Sequence, residues 1–318
     1  MSQHEQHGRV RVGRRVYHKN GWTDPSVPGF AAVLCLTPSS PYGAISPYSL
    51  RDNDQIMENI WQFSKVYASV PRSVQHYSRY DKTIIWDWPS EQHVADNQLL
   101  PAYWKWRAHG MAAKHAVRYP VGFYHRASCL GAVVSASDTT LLGYVQARRQ
   151  IYLPVYTRLL KKHAMFLDLQ QRLQRQNLLI IEVDGPHQES LAYYQHKYDM
   201  PDDFIVDNTV EVNQRNMQVL LNDEKHPFGH GYCLAMALLN KEEQWNTDLT
   251  QPVQPVQPVQ PVQPVQASDA QPNQSDQASV ELVQLDQASG VQTTKSNALA
   301  TQPKQPQKPV PVKRKLAT

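Results

Sequence analysis

The chain has little cysteine, little net charge and no long apolar run. Only Cys35, Cys129 and Cys233 are cysteines among its 318 residues. Their odd number and lack of motif spacing argue against a disulfide framework and for a reducing compartment. A net charge of +4 at pH 7 selects no partner by itself. No apolar stretch approaches the length that spans a bilayer, so no membrane association is expected. The opening residues MSQHEQHGRV are polar and charged, unlike a signal peptide. The P-loop, the dinucleotide fingerprint and the nucleophile elbow are all missing. Beyond Trp245 there is no aromatic residue, no cysteine and only one glycine, Gly290. Such a segment buries too little apolar surface to offset the entropy of ordering it.

These absences divide the chain. Residues 1–8 read as a flexible N-terminus, 9–245 as one folded domain carrying an insertion at 80–130, and 246–318 as a disordered Pro/Gln-rich tail. The tail opens with QPVQPVQPVQPVQPVQ, whose proline at every third residue favours an extended polyproline spacer. It closes with PVKRKL, which reads either as a nuclear import or nucleic-acid signal or as a solvated end. A second basic cluster, GRVRVGRRVYHK, runs from Gly8 to Lys19. The expected location is cytoplasmic, or nuclear if the C-terminal cluster is read as an import signal.

Within the domain, GFAAVLCLTP (Gly29–Pro38) and NLLIIEVDGP (Asn177–Pro186) read as buried strands, the second running into a turn. SSPYGAISPYSLRDND between them is a loop by its Ser, Pro and Gly. Ile84–Arg107 holds IIWDWP and PAYWKWR, four of the seven tryptophans, with irregular text between them, and Met111–Arg118 reads as helical. Val145–Gln176 has long helical periodicity, with Pro154 marking a kink or a fresh start. HPFGHGYCLAMALLNKEEQW reads as a helix opened by Pro227 and two glycines. The fold class is α+β, predominantly helical, with one small sheet.

One stretch raises a chemical question. IMENIWQFSKVYASVP (Ile56–Pro71) reads as an amphipathic helix ending before Pro71. On that reading Glu58, Gln62 and Lys65 share a face, wrapped by Ile60, Trp61, Phe63 and Val66. Buried Glu and Lys are costly unless paired. The pattern alone is met by an exposed charged face, by a structural ion pair or by a functional site.

YGAISPYSLRDNDQIMENIWQFSKVY (Tyr42–Tyr67) resembles the signature of the NADAR (YbiA-like) family. The matching positions are Tyr42, Gly43, Ile45, Ser46, Tyr48, Glu58, Gln62, Lys65 and Val66. RRQIYLPVYTRLLKKHAMFLDLQQRL, LLIIEVD and FGHGYCLAMALL are similar to later family segments, in the same order. Departures are Pro47, where the family has Asn; Asn59-Ile60-Trp61, in place of its His-Tyr-Phe; and DGPHQES, in place of its Trp-Gly. The resemblance implies a YbiA-like domain that hydrolyses ribose–nitrogen bonds. The implied substrates are phosphoribosyl metabolites or ADP-ribose on nucleobases, with no metal or other cofactor.

That chemistry suits the residues. Cleavage passes through an oxocarbenium-like state that a carboxylate stabilises. A neutral lysine can attack the ring-opened sugar and form a Schiff base, and desolvation favours the neutral amine. The resemblance therefore assigns Lys65, Glu58 and Asp184 to catalysis. It assigns Gln62, Tyr42, Ser46, Tyr48, Trp61, Glu182 and Gly231 to substrate binding. The partner is a ribosylated small molecule or ADP-ribosylated nucleic acid, with a weak nucleic-acid contact through the basic ends. Two other readings stand beside the enzyme: a binding module for ADP-ribose or nucleic acid, and a virion-associated structural protein that kept only the fold. His226, His230 and Cys233 have metal-like spacing, but Pro227 separates the first from the helix and no second half-site follows. IIWDWPSEQH and PAYWKWRAHG mix Trp with cations, a pattern that suits base stacking or a packed core. Arg118 and Arg126 are candidate phosphate contacts that no motif singles out.

Overall fold

The computed structural model describes residues 8–19 and 21–247. Residues 1–7 and the tail from 248 onward lie outside the described residues, and with them most of the expected N-terminal and C-terminal segments. Residues at both limits of the described segment are tied into the fold. The Gly8 amide donates to the Leu173 carbonyl at 2.8 Å. At the other end Asn246 bonds both the guanidinium and the carbonyl of Arg149.

A four-stranded sheet organises the fold. Its order is Thr209–Glu211, Val10–Arg14, Asn177–Glu182 and Phe30–Leu34. The last three run parallel, and Thr209–Glu211 pairs antiparallel with Val10–Arg14. Asn177–Glu182 is buried along nearly its whole length, as a near-continuous Leu/Ile run in the middle of a parallel sheet must be. The basic N-terminal cluster is thus a sheet strand, with Val10 and Val12 inside. Its guanidiniums are engaged: Arg9 forks onto Glu211 and Arg15 onto Asp24.

Eight α-helices and several two-stranded sheets accompany this sheet among the described residues, a mixed α+β architecture. We label the helices α1 (Met57–Gln62), α2 (Pro101–Met111), α3 (Tyr144–Ala147), α4 (Leu153–Leu160), α5 (Ala164–Leu173), α6 (Leu191–Tyr198), α7 (Gln214–Asn222) and α8 (His230–Leu238). Every residue of α8 from Gly231 to Leu238 is buried. It is apolar all round because it packs against the sheet, α4 and α5 at once. It starts after Gly229, later than Pro227 suggests. The long helical stretch breaks twice: Arg148–Tyr152 forms a π-helical turn just before Pro154, and Lys161–His163 separates α4 from α5.

Three further expectations change. The helix expected from Ile56 to Val70 stops at Gln62, and Lys65–Tyr67 is a strand paired with Cys129–Ala132. Val66 and Tyr67 suit a strand as well as a helix, and the pairing partner decides. The two tryptophan segments take regular structure, Ile84–Trp88 as a strand on Ser73–His76 and Pro101–Met111 as α2, and the text between them, expected to be irregular, carries short two-residue strands. Residues 112–118, expected to be helical, follow the end of α2 without regular structure. The insertion builds a second core in which Trp86, Tyr103 and Trp106 surround Phe63 and Tyr67. These rings are core, not a stacking surface. Asn59, fully buried, fastens this lobe to α1. Its amide donates to the Ala113 and His115 carbonyls at 3.0 and 2.9 Å, and its oxygen accepts the Val117 amide at 2.7 Å.

Candidate active site

A cleft of about 640 Å³ lies beyond the carboxyl ends of two adjacent parallel strands. Leu36 and Thr37 follow Phe30–Leu34 into it, and Glu182 and Asp184 follow from Asn177–Glu182. That is where open parallel sheets place ligand sites, since the loops there diverge. The insertion forms the opposite wall with Lys114, His115 and Arg118. Tyr48, Glu58 and Trp61 come from the loop and first turns leading through α1. Glu182 and Asp184 thus enter from the sheet, Glu58 from α1, and Lys114 and Arg118 from the opposite side.

Glu182 is the most constrained of these groups. It is 0 % exposed and sits under the start of α8. A methyl group at Gly231 would lie 2.8 Å from its Oε1, so the glycines flanking His230 are required for this approach. His230 Nδ1 lies 3.2 Å from Glu182 Oε2, and His230 Nε2 bonds the Cys35 carbonyl. Burial first, then the neighbouring charge of Asp184, pushes the Glu182 carboxyl up to about 8; the Gly231 and Tyr232 amides oppose this. Neither oxygen completes a well-aligned hydrogen bond. For His230, burial favours the neutral ring, but Cys35 and then Asp184 outweigh it, so its pKa is raised. Both members of the pair hold a proton to higher pH than free side chains would.

The Glu58–Gln62–Lys65 row survives the change of secondary structure. Gln62 Nε2 donates to Glu58 Oε1 at 2.9 Å, and Lys65 Nζ donates to Gln62 Oε1 at 2.9 Å. All three are buried. Only Glu58 lines the cleft; Gln62 and Lys65 stand behind it, outside the cleft lining. The chain turns into a strand after α1, and Lys65 reaches Glu58 through Gln62 rather than along a continuous helix face.

Of the remaining expected residues, Tyr48, Trp61 and Asp184 line the cleft. Tyr42, Ser46 and Gly231 do not. The Tyr42 hydroxyl is bonded by Arg172, and its ring packs on the main core. Ser46 is buried, and its carbonyl accepts the Ser49 and Leu50 amides at 3.0 Å. Sequence reasoning missed His230 as a partner of Glu182, although Gly-His-Gly opening an apolar helix was a visible signal. It missed Tyr152, which packs on Trp61 with ring centroids 4.9 Å apart. The metal-like trio is dispersed: His226 Nδ1 donates to Asp223 at 2.6 Å, and Cys233 is buried in the core. No helix among the described residues is long and apolar enough to cross a membrane.

Comparison with family models, curated proteins and solved structures returned no match.

Proposed function

We propose that the chain is an N-glycosidase of NADAR-like type that hydrolyses a ribose–nitrogen bond, with Glu182 supplying the proton to the leaving nitrogen. The observation that carries this reading is a buried carboxyl, raised to about 8, on the floor of a cleft that also holds Glu58 and Asp184. Carboxyl groups in unlike environments are what acid-assisted glycoside cleavage requires. In this scheme Glu182 is the general acid, and its proton goes to the departing base as the C1–N bond breaks. Glu58 and Asp184 stabilise the positive charge that develops on the ribose, and one of them takes the proton of the water that adds to C1. Tyr48, Trp61 and Tyr152 form the apolar and aromatic side of the sugar pocket. Lys65 is a positioning residue: through Gln62 it fixes the rotamer of Glu58. That role is favoured over the Schiff base by the hydrogen-bonded row that joins Lys65 to Glu58 through Gln62.

The test uses the full chain and a panel of N-ribosylated bases and ribosylamines, with and without phosphate, and reads free sugar. Wild type should release sugar, and Glu58→Gln should lose about a hundredfold or more. Borohydride treatment during turnover should trap no adduct. An adduct on Lys65 would restore the Schiff-base route. Binding with no release in wild type would favour the non-catalytic module.

A further inference from the structure

We propose that the face of the insertion next to the cleft is a binding track for single-stranded nucleic acid. Tyr77, His115 and Arg118 line the cleft on its insertion side. From Arg118 the surface continues without a break of aromatic and cationic groups. The Arg118 guanidinium lies 4.9 Å from the Tyr119 ring centre, Tyr119 meets Phe123 edge-on at 5.2 Å, and Phe123 meets Tyr124 at 5.7 Å. Arg126 covers Phe123 at 3.7 Å. Large rings here stand in solvent: Tyr77 is 59 % exposed, Phe123 50 % and Tyr124 92 %. A soluble surface rarely displays such rings together unless they meet something. Unlike Trp86 and Trp106, they have no core to fill.

Charge selects the occupant. Residues 97–137 contain no Asp or Glu, and their cations other than the buried Arg107 are Lys105, Lys114, Arg118 and Arg126. An anionic chain that also offers flat faces satisfies both features. Unpaired bases stack on exposed rings and on guanidinium planes, while the phosphates follow the cations. A duplex hides its base faces, and an acidic peptide has few planar groups to stack. The track ends at the cleft through Arg118, His115 and Tyr77, so a strand lying on it delivers a nucleotide to the carboxylate floor. That delivery rests on the glycosidase reading; affinity for the strand does not.

The test reads anisotropy of a labelled, unmodified oligothymidylate with the full chain, without turnover. Phe123→Ala with Tyr124→Ala should weaken binding about tenfold or more. These rings are exposed, so the fold, checked by circular dichroism, should persist. Arg126→Gln should lower the slope of log affinity against log salt by about 0.7, the share of one phosphate on a single strand. Four results would overturn the proposal: no binding by wild type; unchanged affinity in the double variant; equal competition by duplex DNA or polyglutamate; or loss of binding only when Lys313, Arg314 and Lys315 are changed to Gln.

Discussion

Glu182 ties stability to chemistry. Its carboxyl is raised from an ordinary 4.5 to about 8 in the folded protein. Between those values the native state holds a proton that the unfolded chain has released. Stability contributed by the protonated form is therefore complete at the acid end and lost as pH rises through about 8. A tenfold change in proton affinity is worth about 1.4 kcal/mol, so the penalty at high pH is roughly 5 kcal/mol. Glu182→Gln removes the charge and keeps the shape. Its melting temperature relative to wild type should rise steadily from mildly acid to mildly alkaline buffer. A flat or falling difference would mean that Glu182 is already ionised at neutral pH. The carboxylates of this site were legible in the sequence because they end a Leu/Ile run and follow a loop with a recognisable pattern. The proton on Glu182 was not, since it depends on α8 closing over it.

At the scale of elements, close approaches explain residues that pattern alone does not. Gly43 sits where a Cβ would strike the Thr37 and Pro38 carbonyls, both backbone. Gly43→Ala must shift the loop that carries Pro47 and Tyr48 into the cleft. A loss of about 2 kcal/mol is expected, seen as a lower urea midpoint; an unchanged midpoint would show that the loop yields freely. Asn59 makes three hydrogen bonds to backbone groups at Ala113, His115 and Val117. Asn59→Leu should leave those groups unpaired and cost about 3 kcal/mol. Faster proteolysis confined to residues 112–128 would mark the released lobe, whereas uniform proteolysis would deny that Asn59 is its latch. The strand at Lys65–Tyr67 escaped notice for a related reason. Apolar spacing there fits both a short helix and a strand, and the pairing partner lies more than sixty residues away at Cys129–Ala132.

Across the whole molecule, two cores share α1 and the residues after it. Trp61 belongs to the main core and Phe63 to that of the insertion. The cleft lies between the sheet side and the insertion side. Two of the three parallel strands, Phe30–Leu34 and Asn177–Glu182, were readable as apolar runs, and the closing helix as a nearly uncharged one. The central position of Val10–Arg14 was hidden by its arginines: Arg11 meets Glu211 and Thr209 on the neighbouring strand, and Arg14 donates to the Gly185 carbonyl. Asn246 and Thr247, although polar, are held by Arg149 and Gln218. Truncation after Thr247 should therefore keep the melting temperature of the full chain. Truncation after Leu239 removes buried Trp245 and should lower it by several degrees; equal melting of the two would refute that role for the terminal segment.

The most direct measurement is the pH profile of kcat/KM for ribose release, in wild type and in Glu182→Gln. Wild type should lose activity on the alkaline side with a midpoint near 8, where Glu182 gives up its proton. The variant should be slower by about a hundredfold or more and lack that limb. A wild-type profile level through this range, with Glu182→Gln equally fast, would contradict the assignment of the buried carboxyl as the acid.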